Sequence, residues 1–150
     1  MRYSIEEMQD AYDEINRKER PLVAFGGALG GALPAAALYF LFAQIGGIFL
    51  PMLLMPAAVI GIFARYTGFP YRLKPRIPIG ILAMVFHFAG CWLLQLNPFV
   101  YLLGPVCAGV AISVSKVKLS RVQEFAIGRA EIGKLGPNKS IQPTAKASAD

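Results

Sequence analysis

Two long stretches of the chain contain no Asp, Glu, Lys or Arg, and they restrict what the chain can fold into. The stretches cover residues 21–64 and 77–115 and are 44 and 39 residues long. One helical crossing of a bilayer needs about 20 apolar residues, so each stretch is long enough for two crossings. Polar or helix-breaking residues occur near the middle of each stretch: Gln44, Gly46, Gly47, Gln95, Asn97 and Pro98. The sequence therefore predicts two helical hairpins.

The composition is typical of a membrane protein and argues against a soluble domain. Hydrophobic residues make up 55% of the chain and charged residues 16%, against about 45–50% and about 25% in typical soluble domains. The predicted fold class is all-α, an integral membrane bundle of four transmembrane helices in two hairpins. Within a transmembrane domain of residues 21–116, the predicted helices cover approximately residues 22–43, 47–65, 77–95 and 98–116.

The distribution of positive charge predicts the orientation of the chain in the membrane. All 15 basic residues lie outside the charge-free stretches, in residues 1–20, 65–76 and 116–150. Cytoplasmic segments of membrane proteins are enriched in Lys and Arg, so we expect both termini and the middle segment in the cytoplasm. Four basic residues of the middle segment are predicted to set this topology or to contact lipid headgroups: Arg65, Arg72, Lys74 and Arg76.

The N-terminal segment, residues 1–20, predicts a cytoplasmic amphipathic helix. Ser4 and Glu7 have the spacing of a capping box, in which each side chain satisfies a backbone N–H group of the first turn. One face of the helix is apolar and contains Ile5, Met8, Tyr12 and Ile15. This face is expected to lie on the membrane surface, to pack on the basic middle segment or to dock a partner protein.

The C-terminal segment divides into a helix and a tail. Residues 117–135 predict a short basic cytoplasmic helix, because Ser120 and Gln123 again have capping-box spacing. Residues 136–150 are polar and lack apolar periodicity, which predicts a partly disordered tail. The closing residues 142–150, QPTAKASAD, resemble the tails of products of mobile bacterial gene cassettes. The predicted location of the chain is a bacterial cytoplasmic (inner) membrane, with multiple crossings.

Glycines in the first predicted transmembrane helix indicate close helix packing. Gly26, Gly27, Gly30 and Gly31 form two overlapping G-x-x-x-G patterns, and Ala35 extends one of them. Missing side chains let a second helix approach, so that dispersion replaces the hydrophobic drive that lipid does not supply. The partner helix is expected either within the same protomer or in a second copy.

His87 is the one ionisable side chain placed deep in an apolar stretch, which makes it a functional candidate by default. Cys91 lies one turn further along the same predicted helix, and Cys107 is predicted at a similar depth. One hypothesis is a soft-metal site of His87, Cys91 and Cys107, or haem held by His87 as a cofactor-binding residue from two protomers. The other is a neutral His87 hydrogen-bonded to a backbone carbonyl or to Gln95.

Several absences narrow the function. The predicted helices contain no Asp or Glu, and their only Lys or Arg residues are Arg65 and Lys116 at the last positions of two helices, which disfavours transport coupled to a membrane carboxylate. The sequence also lacks a serine paired with a base, a metal-ligand cluster and a phosphate-binding loop, so we expect neither an enzyme nor a cofactor. Topology alone accounts for the basic residues, and no nucleic-acid partner is expected.

Three functions remain open. The leading hypothesis is a structural, assembly or accessory subunit, embedded in the lipid bilayer and joined to another copy or to a membrane protein partner. The second is a homo-oligomeric channel or transporter for a small neutral solute. Its path would use the few polar residues available: Gln44, His87, Gln95, Ser113 and Ser115. The third is a haem or metal-binding membrane protein centred on His87.

Overall fold

The structure, a computed structural model, describes residues 3–45 and 50–133, so the predicted tail 136–150 lies outside the described residues. The chain forms two compact units, which we name the membrane unit (residues 18–118) and the α1–α6 unit (residues 1–17 and 119–150). All regular elements of the described residues are helical: α1 (Ile5–Lys18), α2 (Pro21–Gln44), α3 (Leu50–Gly68), α4 (Leu73–Leu93), a 3₁₀ helix (Pro98–Leu103), α5 (Gly104–Val114) and α6 (Arg121–Glu131).

Three helices, α2, α3 and α4, are long and apolar enough to cross a membrane. The prediction of an all-α fold is therefore confirmed over the described residues. The last apolar segment, Pro98–Val114, is shorter than these three. It consists of the 3₁₀ helix followed by α5, whereas the sequence predicted one continuous helix over residues 98–116.

The helix α4 begins at Leu73, four residues before its predicted start. Lys74 and Arg76 therefore belong to the helix and not to a loop between helices. Pro75 is compatible with this early start because it lies in the first turn, where the backbone N–H groups have no partner within the helix. The predicted basic loop is correspondingly shorter.

Pro105 explains why the last apolar segment begins as a 3₁₀ helix. In an α-helix the carbonyl of Tyr101 would accept from the N–H of residue 105, which a proline lacks. The N–H of Gly104 donates to that carbonyl instead, in the tighter pattern of three residues. Asn97 caps the start of the segment, since its side-chain oxygen accepts from the N–H of Phe99 at 3.1 Å.

The core of the membrane unit is built from small side chains. The helix α2 packs on α3, and α5 packs on both α3 and α4. Seven of the ten buried residues at the centre are alanine; the ten are Ala24, Ala28, Ala35, Ala57, Ile60, Ala64, Ile79, Ala83, Cys107 and Ala111. Small side chains let the helix backbones approach closely, which favours association where lipid supplies no hydrophobic drive.

The end of α4 has the hydrogen bonds of a Schellman motif. The N–H of Leu96 donates to the carbonyl of Cys91 at 3.0 Å, and the N–H of Gln95 donates to that of Trp92 at 3.2 Å. Gln95 takes a left-handed conformation with φ of 48°, in a place where glycine is usual. The chain therefore reverses direction here at a cost in backbone strain.

The α1–α6 unit brings α1 and α6 together. Both predicted capping boxes are confirmed, at Ser4 and at Ser120. Met8 of α1 and Ala126 of α6 are buried together, and the ring centroids of Tyr3 and Phe125 lie 6.0 Å apart. Met8 and Tyr12 of the apolar face of α1 thus pack on α6, a location that differs from all three predicted ones, while Ile5 of that face stays 64% exposed.

Candidate functional site

His87 connects three elements of the membrane unit from a position that is 1% exposed. Its Nδ1 atom lies 3.0 Å from the hydroxyl of Tyr39 on α2. Its Nε2 atom lies 3.1 Å from the carbonyl of Val100 in the 3₁₀ helix. The Sγ atom of Cys91, one turn further along α4, lies 3.5 Å from the same Nε2 atom. One imidazole therefore joins α2, α4 and the 3₁₀ helix.

The partners of His87 determine where a neutral ring carries its proton. A backbone carbonyl can only accept, so Nε2 holds the hydrogen and donates it to Val100. Nδ1 is then an acceptor, and the hydroxyl of Tyr39 donates to it. Of the two partners predicted for a neutral histidine, the structure shows the backbone carbonyl, while Gln95 is exposed at the end of α4.

The Cys91 and His87 pair has the composition of a nucleophile and a base, but this geometry does not support that chemistry. A base must accept the thiol proton on a free lone pair. The Nε2 atom near Cys91 already carries a hydrogen that it donates to Val100. Cys91 is also fully buried, so a substrate has no direct access to its thiol. The cluster is a hydrogen-bonded packing centre.

The proposed soft-metal triad is not assembled. Cys107 directs its thiol to the carbonyl of Leu53, at 3.8 Å. Among the described residues, no group of three His, Cys, Asp or Glu side chains could hold a metal ion. Binding of haem iron by His87 would replace one of its two hydrogen bonds at a site closed to solvent. The described residues therefore provide no ligand set that supports the haem or metal hypothesis.

Tyr39 is the side chain of this cluster that sequence reasoning misses. It lies 48 residues from His87 along the chain, and nothing in a single sequence pairs the two. The available signal is a tyrosine in an otherwise apolar helix, because a buried tyrosine hydroxyl usually finds a hydrogen-bond partner.

The two glycine patterns of α2 have opposite surroundings. A methyl group on Gly31 would lie 2.9 Å from Cβ of Phe63 on α3, and one on Gly27 would collide with the side chain of Thr67. A methyl group on Gly26 or Gly30 would meet nothing within 4 Å. One pattern packs within the protomer, and the other is open on the surface of the bundle. Ala35, also predicted in this face, is fully buried.

The open pattern continues for another turn to Pro34, which is also exposed. Pro34 has no N–H group to donate to the carbonyl of Gly30, its acceptor in a regular α-helix. A backbone carbonyl without its helical partner is costly in hydrocarbon. Leucines that are 85%, 48% and 77% exposed flank the open glycines: Leu22, Leu29 and Leu33. This surface, which we name the open glycine face (Gly26, Gly30 and Pro34), is exposed and carries no side chain at two of its three positions.

The four predicted headgroup or topology residues divide into two pairs. Arg76 is 7% exposed, and its guanidinium donates to the carbonyls of Pro70, at 2.7 Å, and Tyr71. Arg72 lies beside Glu19, with 3.8 Å between Nε and Oε2. Arg65 and Lys74 form no hydrogen bond or ion pair with any residue that the structure describes. These two remain available to a ligand outside the chain.

The polar residues considered for a solute path do not gather along one. Gln44, Gln95 and Ser113 are exposed on the outside of the bundle. Ser115 is buried and donates to the carbonyl of Ile112 at 2.9 Å, and His87 is bonded as described above. Within the described part of a single protomer, these side chains form no polar lining.

Comparison with known proteins identified no relative of this chain. No protein-family model, no curated protein and no solved structure matches this chain. Its function is therefore inferred from the geometry of its own residues.

Proposed function

We propose that this protein is a small multi-pass membrane protein with a structural, assembly or accessory role, and that the open glycine face of α2 binds another transmembrane helix. One observation carries the proposal. A methyl group added to Gly26 or Gly30 would meet nothing within 4 Å, whereas Gly27 and Gly31 on the same helix are already covered by α3. Gly27 and Gly31 allow α2 to pack on α3, and Gly26 and Gly30 are available for an interaction with another helix.

The chemistry of the open face suits a helix as its ligand. Two glycines four residues apart let a second backbone approach closely, and this gives dispersion contacts that lipid chains do not provide as well. The carbonyl of Gly30, deprived of a donor by Pro34, is open to stabilisation by a polar group of the partner. The partner is a second copy of this chain or a different membrane protein.

The same proposal includes a fourth crossing by the segment Pro98–Val114. Six residues at the 3₁₀ rise of about 2.0 Å and eleven at the α rise of about 1.5 Å span about 28 Å. This length is close to the hydrocarbon core of a bilayer, about 30 Å. Four crossings place both termini and every Lys and Arg on one side, which agrees with a cytoplasmic location in a bacterial inner membrane.

The test is co-purification of two differently tagged copies from native membranes in a mild detergent, followed by mass spectrometry. The variant Gly26→Leu/Gly30→Leu fills the open face. Gly109→Leu is the matched control, because Gly109 on α5 is also exposed and open. We expect the wild type and the control to retain the second tag, or one stoichiometric partner, and the double variant to lose it.

Each result separates the possible roles. Recovery of the second tag alone identifies a homo-oligomer, and recovery of a defined different protein identifies an accessory subunit. The proposal is wrong if the double variant keeps the same partner in the same amount as the wild type, or if the wild type is recovered as a single chain.

A further inference from the structure

We propose that the membrane unit binds the headgroups of anionic phospholipids through a basic surface formed by Arg65, Lys74 and Lys116. We name these three residues the basic collar. The inference concerns a different surface from the open glycine face and does not depend on what that face binds. It adds Lys116 to the residues considered for lipid contact, and it excludes Arg72 and Arg76, whose guanidinium groups are engaged within the chain.

Contacts between the helices place the collar at one end of the bundle. A methyl group on Gly61 of α3 would lie 2.7 Å from the carbonyl oxygen of Ala111 on α5. One on Gly80 of α4 would lie 2.6 Å from Cδ1 of Ile112. These positions define a layer. The helices α3 and α5 cross it in one direction, because Cys107, which precedes Ala111, contacts Leu53, which precedes Gly61. The helix α4 crosses it in the other direction, because a methyl group on Gly104, which precedes Ile112, would meet Phe88, which follows Gly80.

The collar residues lie beyond this layer on the same side. Arg65 follows Gly61 by one turn, Lys116 follows Ile112 by four residues, and Lys74 precedes Gly80 by six. At about 1.5 Å per helical residue, Arg65 lies about 6 Å and Lys74 about 9 Å past the layer, and Lys116 lies on the same side, two residues after the end of α5. Their positive charges are therefore close to one depth along the bundle axis.

No carboxylate of the membrane unit is free to neutralise the collar. Residues 18–118 include a single acid, Glu19, and eight basic residues: Lys18, Arg20, Arg65, Arg72, Lys74, Arg76, Lys116 and Lys118. The carboxylate of Glu19 lies beside Arg72 and accepts from its backbone N–H at 3.3 Å. The collar side chains form no hydrogen bond or ion pair within the described chain. Their charge is available to an external anion.

The surroundings of the collar favour a lipid over a soluble anion or a nucleic acid. Tyr66 is 75% exposed and Phe69 is 44% exposed at the same end of the unit. Leu73, the residue before Lys74, is 62% exposed. Aromatic residues beside apolar ones are typical of the headgroup level of a membrane protein. The positive groups are thus placed where phosphates of anionic lipids occur, next to side chains that contact acyl chains.

The test measures lipid binding to the purified full chain in a neutral detergent by native mass spectrometry. Dioleoylphosphatidylglycerol and dioleoylphosphatidylcholine are titrated separately. The variant Arg65→Gln/Lys116→Gln removes two collar charges. Arg17→Gln/Arg121→Gln is the matched control, because it removes two exposed charges from the α1–α6 unit. Lys74→Gln is a single-charge variant for use if the double variant does not fold.

A basic residue near a membrane surface changes anionic lipid binding by about fivefold. We therefore expect the wild type to prefer the anionic lipid, and the collar double variant to lose about 25-fold in affinity for it. Lys74→Gln should lose about fivefold. Binding of phosphatidylcholine should stay constant throughout, and the control variant should bind like the wild type.

Three results would overturn the inference. Equal affinity of the wild type for the two lipids would remove the headgroup specificity. An equal loss in the control variant would show that net charge, and not the collar, governs binding. Displacement of the anionic lipid by millimolar inorganic phosphate would identify a site for a free anion. Because co-purification of tagged copies is measured separately, either proposal can fail while the other holds.

Discussion

Two glycine pairs on one helix, one residue apart, differ completely in what surrounds them. Gly27 and Gly31 face α3 and have no room for a methyl group, whereas Gly26 and Gly30 face away from the bundle and have ample room. A shift of one residue turns a helix by about 100°, which is enough to move from a packed side to an open one. The same G-x-x-x-G spacing thus serves folding on one side of α2 and leaves a surface for assembly on the other.

The largest effect should come from breaking the packed side at Gly68 of α3. A methyl group there would collide with backbone atoms of Ala24 on α2, which cannot rotate away. The carbonyl of Gly68 also accepts from the N–H of Arg20 at 2.9 Å, so both helices are fixed at this point. We expect Gly68→Ala to lower the free energy of unfolding by about 3 kcal/mol.

The measurement is unfolding in mixed micelles by titration with sodium dodecyl sulfate, followed by circular dichroism. Gly26→Ala is the matched control on the open side, where the methyl group meets nothing and the higher helix propensity of alanine should raise the free energy of unfolding by about 0.5–1 kcal/mol. Equal unfolding midpoints for the two variants would mean that the two sides of α2 do not differ as described.

A smaller effect should follow from removing the hydroxyl of Tyr39, whose hydrogen bond to His87 connects the packed side of α2 to α4. Tyr39→Phe keeps the ring that packs on Gly90 but leaves Nδ1 of His87 without a donor. A buried polar atom that loses its partner costs about 1–3 kcal/mol, and we expect about 2 kcal/mol in the same titration. Tyr101→Phe is the control, since the ring of Tyr101 stacks on Phe88 and its hydroxyl bonds to no described residue. A Tyr39→Phe variant as stable as the control would argue against this hydrogen bond.

The smallest effect should come from Gln95, where the backbone conformation favours glycine although no neighbouring atom requires one. Gln95 has a φ of 48°, which costs a residue with a side chain about 1–2 kcal/mol. We expect Gln95→Gly to raise the free energy of unfolding by about 1 kcal/mol. Gln44→Gly, within the last turn of α2, should instead lower it by a similar amount. Stabilisation by both variants, or by neither, would contradict the assigned conformations.

The helices and their caps could be predicted from the sequence because these features depend on local patterns. Charge-free runs predict crossings, and Ser4 with Glu7 predicts a cap from four consecutive residues. The start of α4 could not be predicted, because Lys74, Pro75 and Arg76 have the composition of a loop. A first helical turn nevertheless tolerates all three. The 3₁₀ helix was also not predicted, because it depends on the missing N–H group of Pro105.

The partners across the structure could not be predicted from one sequence. Periodicity shows that α1 has an apolar face, but not that Met8 and Tyr12 of this face pack on α6, more than a hundred residues later. The spacing of the glycines shows that helices approach α2, but not which pair faces α3. His87 is identifiable as a buried polar residue, while Tyr39 becomes its partner only through the packing of α2 on α4.

The 3₁₀ helix also limits how the proposed fourth crossing can adapt to bilayer thickness. Its six residues extend about 12 Å, where the α form would extend about 9 Å. The segment cannot shorten by taking the α form without leaving the carbonyl of Tyr101 unpaired, because Pro105 cannot donate to it. In a thinner membrane, hydrophobic mismatch at this crossing would therefore be relieved by tilt of the segment or by deformation of the surrounding lipid.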